Sequence, residues 1–251
     1  MGNERLRSAI SGAGMTVQQL SERILVDPKT IDRWVTNGRV PHRTNRQQVA
    51  AALGVNESYL WPDALSDNRI QASSRAELLD LHPSRGSVPT AVWESLIANA
   101  REHIDILAFA ASFLHDTIPD LSGTLSSKAG DGTRIRILLG DPESSAVALR
   151  GEEEGIGESL ADRCRLSWKY VRPLLTVNGI EGRSHGSAVY ASIFRFDDDI
   201  LVNHHLYGAP ACNSPVAHLR RIDGGRLADS VMASFERTWD AARPMAERDV
   251  A

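Results

Sequence analysis

Short amphipathic segments, separated by Gly, Asn and Asp-Pro breaks, make up the first 60 residues of the chain. Their apolar residues recur at helical spacing, and the breaks coincide with signals for helix starts and stops. The pattern predicts helices at Glu4–Ser11, Val17–Ile24, Lys29–Thr36, Arg43–Leu53 and Glu57–Trp61. Thr16 is expected to cap the second helix, because Gln19 completes a capping box. Asp27-Pro28 starts the third helix with an N-cap and a proline at the first helical position.

The segment 64–88 is polar, lacks a strong period and contains Pro83 and Gly86. These features are typical of a linker. Within it, a short helix is expected around Arg75–Leu81. The chain is therefore predicted to divide into a helical domain over residues 1–63, this linker, and a larger domain over residues 89–245.

The larger domain alternates buried-strand patterns with helical patterns. Ile104–Ala110 and Arg134–Gly140 are predicted strands on either side of a helix at Ile118–Ala129, and such a unit places its strands parallel and adjacent. Val189–Phe196 and Ile200–Leu206 are expected to pair as a hairpin. The remaining predicted elements are helices at Thr90–Glu102, Glu152–Val171 and Leu227–Ala242 and strands at Ile180–His185 and Val216–Ile222. The expected fold class is an all-α domain followed by an α/β domain with a mixed sheet.

Composition narrows the class of protein without indicating a function. The chain has 251 residues, of which 42% are hydrophobic, and this is enough for buried cores. Cys164 and Cys212 cannot form a disulfide framework, and no apolar run has the length of a membrane span or the flanks of a signal peptide. We therefore expect a cytoplasmic protein with no membrane partner, and the residue spacings suggest neither a metal site nor a cofactor.

Charge is unevenly distributed along the chain. The net charge of −4 by itself argues against a nucleic-acid partner. Residues 1–65 nevertheless carry +2 and the window 28–46 carries +4, while the rest of the chain beyond residue 65 carries −6. Because phosphate binding follows the local potential, this basic window favours contact with DNA. An ordinary solvated helical face is the alternative interpretation.

The stretch TVQQLSERILVDPKTIDRWVTNGRVPHRTNRQQVAAALGVNESYLW resembles the Cro/repressor-type (XRE family) helix-turn-helix proteins. That family lays its second helix in the major groove of DNA. The resemblance implies that Pro28–Val35 is this helix, with Ile31 and Trp34 packed inward. One departure is VTNG after Trp34, where the family often has Glu followed by x-Gly. It alters the end of the helix and removes no base-reading residue.

The resemblance implies a DNA-contacting set on this helix and its neighbours, which consists of Gln18, Gln19, Lys29, Thr30, Arg33, Arg39, Arg43 and Arg46. Lys29 or Arg33 would bond guanine O6 and N7, and Thr30 would contact a phosphate or a thymine methyl group. The three arginines after the helix would contact phosphates, which fixes the register without reading sequence. The two glutamines would contact the DNA backbone. For Lys29 and Arg33, ordinary solvated charge is the alternative.

The βαβ unit, the segment RIRILLGDP and the segment EGRSHGSAVYASIFRFDDDILVNHHLYG resemble a phospholipase D-type domain over roughly residues 90–243. Active members use H-x-K-x4-D, with the histidine as nucleophile and the lysine on the phosphoryl oxygens. Here His185 fits, but Ser187 and Ser192 stand at the Lys and Asp positions. Without the ammonium group the transition state loses its main electrostatic stabilisation, so catalysis is not expected. The alternative is a phosphodiesterase or nuclease that uses His185, with the helix-turn-helix domain as its targeting module.

A degenerate site of this type retains side chains that suit a small anionic ligand. The candidates around the hairpin are Arg183, His185, Tyr190, Asn203, His205 and Tyr207. Strand alternation predicts that Asn203, His205 and Tyr207 share one face, opposite Tyr190 on the partner strand. A purely structural role at the end of the strand is the alternative.

Taken together, these patterns predict a sequence-specific transcriptional regulator. Its partner would be a double-stranded DNA operator, bound by a homodimer, because two half-sites double the contacts that one small module makes. The α/β domain would sense a ligand or mediate dimerisation.

Overall fold

The computed structural model describes residues 2–62 and 67–246, and the chain divides into two compact units, Met1–Ala72 and Ser73–Ala251. The predicted domain boundary at residues 63 and 64 lies outside the described residues. A helix, α6 (Asp67–Ala76), crosses the boundary between the two units along the chain. Each unit has its own apolar core.

Helices alone form the described part of the first unit. They are α1 (Glu4–Gly12), α2 (Val17–Ile24), α3 (Pro28–Thr36), α4 (Arg43–Leu53) and α5 (Glu57–Leu60), followed by the start of α6. The five helices predicted from the sequence are confirmed. Thr16 and Gln19 form the expected capping box, and Asp27 caps α3. Leu6, Leu20 and Ile31 are fully buried where these helices meet.

The second unit is built on a mixed sheet, which in the described residues has eight strands in the order β1-β7-β6-β5-β2-β3-β4-β8. The strands are β1 (Leu78–His82), β2 (His103–Ala108), β3 (Arg134–Gly140), β4 (Ile180–His185), β5 (Ala191–Phe196), β6 (Asp199–His204), β7 (Val216–Arg220) and β8 (Arg243–Met245). The strands β2, β3 and β4 are parallel, and the other neighbouring pairs are antiparallel. The predicted parallel unit of β2 and β3 and the hairpin of β5 and β6 are therefore confirmed.

Helices cover both faces of this sheet. They are α7 (Thr90–Asn99), α8 (Ser112–Thr117), α9 (Leu121–Gly130), α10 (Ser145–Glu153), α11 (Ser159–Val171) and α12 (Leu227–Ala241). The helices α7, α8, α9 and α11 contribute to the apolar core on one face, and α12 packs on the other. Within residues 2–62 and 67–246, no helix combines the length and the apolar character that a membrane span requires.

The segment 64–88 differs from its prediction as a linker. The short helix expected around Arg75–Leu81 is wrong, because Leu78–His82 forms the edge strand β1 and pairs with β7. The alternation that marks a half-buried strand is absent from β1, since most of its side chains are exposed. The pairing comes from the backbone of a distant strand, which local sequence does not reveal.

Glu77, at the start of this strand, anchors α12 from a distance in sequence. Its fully buried carboxylate accepts the backbone N–H groups of Leu227, at 2.7 Å, and Ala228, at 3.3 Å. These are two of the groups that a helix N-terminus leaves without an intrahelical partner. A Cβ atom at Gly225 would lie 2.2 Å from the carboxyl carbon of Glu77, so only glycine leaves room for this contact.

The predicted helix Glu152–Val171 is also wrong in its extent, because it comprises the end of α10 and all of α11. The two helices are separated by a loop in which Gly155 and Gly157 have φ values of 70° and 49°. Glycine tolerates this left-handed conformation, which interrupts the helix. The start of α10, the helix α8 and the strand β8 were not predicted from the sequence.

A row of charged residues crosses the middle of the sheet. Asp105 on β2 is fully buried between Arg136 on β3, at 2.6 Å, and Arg195 on β5, at 3.2 Å. Arg136 also binds Glu236 on α12, at 2.7 Å, and its guanidinium lies 4.6 Å from the ring centroid of Phe235. Burial by itself lowers the pKa of Arg136, but the hydrogen bonds to Glu236 and Asp105 outweigh it and raise the pKa overall.

Asp197, at the tip of the β5–β6 hairpin, fastens the loop that leads into β2. Its carboxylate accepts the backbone N–H groups of Arg101, at 2.7 Å, and of Glu102 and His103, each at 2.8 Å. Burial opposes the ionisation of Asp197, but the three N–H groups outweigh it and lower the pKa of this carboxyl overall. Asp197 therefore joins the tip of the hairpin to the loop that precedes β2.

We predict that Asp197→Asn destabilises the second unit by about 1 to 3 kcal/mol at neutral pH, because hydrogen bonds to a charged acceptor are lost. The lowered pKa of Asp197 means that its contribution is fully present above the pKa of the unfolded chain. That contribution disappears as the pH falls through the lower pKa of the folded state. Urea unfolding of both proteins from pH 7 to pH 3 measures the difference. If the difference in unfolding free energy between the two proteins stays constant down to pH 3, the role given to the Asp197 carboxylate is contradicted.

Candidate nucleic-acid interface and ligand pocket

α3 has one apolar and one cationic side. The side chains that pack into the core are Ile31, Trp34 and Val35. Lys29 and Arg33 are exposed and Thr30 is half-buried. The spacing of the apolar residues fixes this orientation, because residues three and four apart lie on one face of a helix.

A shallow concave surface connects α3 with the loop and helix that follow it. It has a volume of about 320 Å³ and is lined by Thr30, Arg33, Trp34, Arg39, Val40, Pro41, His42 and Asn45. Thr30, Arg33 and Arg39, which the resemblance implied as DNA contacts, therefore share one surface. Arg43, in the first turn of α4, is also exposed. We call Lys29, Arg33, Arg39 and Arg43 the basic face.

Among the described residues, no acidic side chain forms a salt bridge with the basic face. In the described part of the first unit, the salt bridges are Arg7 with Glu4 and Arg46 with Glu57. The four cations of the basic face are therefore available to an anionic partner. This is the local potential that the charge distribution indicated.

Arg46 is the exception among the implied phosphate contacts. It is buried, and its guanidinium binds the carboxylate of Glu57 and the backbone carbonyl of Pro41, the latter at 2.9 Å. A buried charge held by two partners cannot reach a phosphate without losing both. Arg46 is therefore removed from the DNA-contacting set, and it joins α4 to the start of α5.

The two glutamines of α2 are exposed but already bonded within their own helix. Gln18 donates to the Glu22 carboxylate at 2.9 Å, and the Gln19 side chain accepts the backbone N–H of Thr16 at 2.8 Å. Gln19 therefore has a capping role that is independent of any DNA contact.

Two histidines of the second unit lie near one aromatic ring. The ring centroid of Phe109, which follows β2, is 5.6 Å from that of His185 and 5.7 Å from that of His205. The Nε2 atom of His185 is 3.2 Å from the carbonyl oxygen of Ala108. A carbonyl oxygen only accepts, so Nε2 carries the proton. His185 is buried, and burial lowers its pKa.

His205 is fixed in one tautomer by its two partners. Nδ1 lies 3.0 Å from the carbonyl oxygen of Val189 and donates to it, so Nε2 accepts from the Ser192 hydroxyl, also at 3.0 Å. Burial, as the largest effect, lowers the pKa of His205 to about 4. The imidazole is therefore neutral at pH 7. The Ser192 hydroxyl group donates its proton to the lone pair of Nε2.

The structure brings only part of the predicted ligand set together. Arg183 is committed to α12, where it donates to the Trp239 carbonyl at 2.8 Å and lies over the indole. Asn203 is fully buried and donates to the carbonyl oxygen of Ser214 at 3.1 Å.

The two tyrosines of this set lie outside the strands. Tyr190 and Tyr207 are 84% and 86% exposed. The strand β6 ends at His204, so the shared face predicted for Asn203, His205 and Tyr207 is wrong. Strand alternation does not extend into the loop after His204.

A cavity of about 300 Å³ in the second unit adjoins Ser192 and His205 and is also lined by Arg85, Phe113, Arg163 and Cys212. Sequence reasoning missed Arg85, which lies in the segment assigned to a linker. It also read Ser192 only as a substituted aspartate. The local sequence indicated this cavity only through the many hydroxyl and imidazole groups along the hairpin.

The next question is whether the described residues could form a metal site or a reactive thiol. Within them, no group of three or more His, Cys, Asp or Glu side chains is placed to hold a metal ion. Cys164 is buried, and burial raises the pKa of its thiol to about 12, whereas Cys212 is exposed. The thiol of Cys164 is therefore unreactive at neutral pH.

Comparisons with known proteins give partial similarities. The chain is 27% identical over 150 residues to the 26 kDa repressor protein of Escherichia phage HK022, with 55% of this chain and 63% of the repressor covered. The match thus spans less than two thirds of that relative's length. No protein-family model matches the chain.

Two solved structures align with the chain at low sequence identity. The archaeal chromatin protein TrmBL2, described with a novel mode of DNA binding, aligns with a TM-score of 0.43 and 12% identity over 78% of this chain and 71% of its own. Nuc, a phospholipase D family member from Salmonella typhimurium, aligns with a TM-score of 0.41 and 16% identity over 66% of this chain and 97% of its own.

We predict that Arg46→Gln destabilises the first unit by about 2 kcal/mol or more, because it leaves the Glu57 carboxylate and the Pro41 carbonyl without their partner. Arg43→Gln, which removes an exposed cation three residues away, changes the unfolding free energy by less than about 0.5 kcal/mol. Denaturant unfolding followed by circular dichroism measures both. Equal effects of the two substitutions would contradict the structural role of Arg46.

Proposed function

We propose that the chain is a DNA-binding transcriptional regulator that contacts a duplex through the basic face of its first unit. The observation that carries the proposal is the exposure of Lys29, Arg33, Arg39 and Arg43 without acidic partners in the described part of that unit. Such a group neutralises phosphates and releases their counterions. The partial similarity to a phage repressor supports the same assignment.

In this proposal α2 and α3 form a helix-turn-helix of the Cro/repressor type, and α3 enters the major groove. Lys29 and Arg33 read guanine edges, because both are exposed on the side of α3 that does not pack. Arg39 and Arg43 bind phosphates beside the groove and fix the register. Trp34 supports the surface from within the core.

The second unit is proposed to sense a small ligand or to pair two copies of the chain. A homodimer would present two basic faces to two half-sites, which increases both affinity and specificity. The cavity near Ser192 and His205 is the feature that supports ligand sensing.

We also propose that the second unit does not hydrolyse phosphodiesters. What supports this is the state of His185, whose ring is buried and whose Nε2 donates its proton to the Ala108 carbonyl, so that the free lone pair lies on Nδ1, which is also buried. A nucleophilic nitrogen needs a free lone pair directed at phosphorus. Ser187 also leaves the position of the phosphoryl-binding lysine without a cation.

We predict that Arg33→Ala weakens binding to a selected DNA site by about 5- to 150-fold, the equivalent of about 1 to 3 kcal/mol, and relaxes the base preference at one position. Arg39→Gln weakens all sequences about equally and lowers the salt slope by about one. The measurement is selection of bound DNA from random duplexes with the wild-type chain, followed by titrations at several salt concentrations.

Arg7→Gln is the matched control for these titrations, because Arg7 is exposed in the same unit but paired with Glu4. It should leave affinity and salt slope unchanged. If Arg33→Ala and Arg39→Gln bind as tightly as the wild type, the basic face is not the DNA interface.

For the second unit, we predict no turnover of bis(p-nitrophenyl) phosphate by the wild-type chain between pH 5 and 9. Turnover that disappears in His185→Ala would establish the phosphodiesterase alternative. Turnover that survives this substitution in repeated preparations would also contradict the prediction, with the activity assigned to residues other than His185.

A further inference from the structure

The cavity of about 300 Å³ in the second unit opens just after β2, where Phe109 and Ala110 contribute to its wall. In sheets with parallel strands, the crevice beyond the carboxyl ends of the strands is where ligands usually bind. A volume of about 300 Å³ is at the lower end of the range for small-molecule sites. The cavity therefore suits a ligand of metabolite size.

Arg85 is the unusual residue of this wall. Its guanidinium lies 4.0 Å from the ring centroid of Phe113, and the side chain is half-buried. Among the described residues it makes no salt bridge. Burial is the main influence on Arg85 and lowers its pKa. A partly desolvated cation without a counter-ion is costly, unless an anion completes the site.

Two acidic side chains line the cavity, Asp116 and Glu154. Burial lowers the pKa of Arg85, and the charge of Glu154 opposes this effect only in part. Glu154, the residue that follows α10, is already paired with Arg150 of that helix at 2.9 Å, and both side chains are buried. Asp116 lies on the exposed rim. A guanidinium that lies over an aromatic ring can still use its N–H groups to bind a planar, bidentate acceptor such as a carboxylate or a phosphate.

Ser192 and His205 determine the second polar contact. The Ser192 proton is donated to Nε2 of His205, because Nδ1 of that ring is committed to the carbonyl of Val189. The Ser192 oxygen therefore presents only lone pairs to the cavity. A ligand that satisfies both ends carries an oxyanion for Arg85 and a hydroxyl or amino donor for Ser192.

We propose that this cavity binds a small hydroxy- or amino-substituted carboxylate or phosphate, with the oxyanion on Arg85 and the donor group on Ser192. The proposal names the ligand class for the sensing role proposed above. It is tested without DNA, so its failure is distinguishable from a failure of the DNA-binding proposal.

Cys212 provides a direct probe, because it lines the cavity and is exposed, whereas Cys164 is buried. Iodoacetate and iodoacetamide have nearly the same size and differ in charge. We expect Arg85 to enrich iodoacetate near the thiol, so Arg85→Gln lowers the ratio of the two alkylation rates of Cys212 by about tenfold. Arg237→Gln, which removes an exposed charge on α12, leaves the ratio unchanged.

Competition with defined compounds then tests the ligand class. Malate or glycerol 3-phosphate should slow alkylation of Cys212 in a saturable way, and whichever protects identifies the oxyanion as carboxylate or phosphate. Succinate lacks the hydroxyl group of malate. It should give the same protection only at a concentration about five- to tenfold higher, because one hydrogen bond is lost. Ser192→Ala should abolish this preference while keeping the folded near-ultraviolet spectrum.

An unchanged rate ratio in folded Arg85→Gln overturns the anion site. Absence of protection by both malate and glycerol 3-phosphate at high millimolar concentration overturns the ligand class. Equal protection by malate and succinate overturns the donor contact at Ser192.

Discussion

The second unit depends on the burial of one carboxylate, that of Asp105. A fully buried charge is stable only if it is paired, and here its partners come from the strands on both sides. A shift of one residue in either strand would send Arg136 or Arg195 to the opposite face of the sheet. The ion pair therefore fixes the register of three strands. Through Glu236 it also fixes the position of α12 on the sheet.

The buried, paired arginines have a structural role, whereas the cations without partners lie where binding is proposed. Arg46 and Arg136 are buried and bound by carboxylates, and they hold elements together. The cations of the basic face and Arg85 lack such partners among the described residues. Arginine thus has a structural role at some positions and a proposed binding role at others. Only the contacts in the structure distinguish the two. For this reason DNA binding is proposed at the basic face and ligand binding at the cavity lined by Arg85.

Sequence reasoning succeeded where the deciding interactions are local. The helices of the first unit were predicted because Thr16, Asp27 and the apolar spacing act within one turn. The strands β2 and β3 were predicted because both faces are covered, which produces continuous apolar runs. Arg46 was misassigned and β1 was missed for the opposite reason, since Glu57 and β7 are remote partners. The same holds for Arg85, whose cavity is assembled from segments more than one hundred residues apart.

The carboxylate of Glu77 has a practical consequence for dividing this chain into fragments. A fragment that begins at residue 89, where composition places the boundary, lacks β1 and leaves the N–H groups of Leu227 and Ala228 without their acceptor. The edge of β7 is then open to pairing with other chains, which promotes aggregation. An independently expressed second unit must therefore start before residue 77. The segment 64–88, which the sequence predicts as a linker, therefore contains residues that stabilise the second unit.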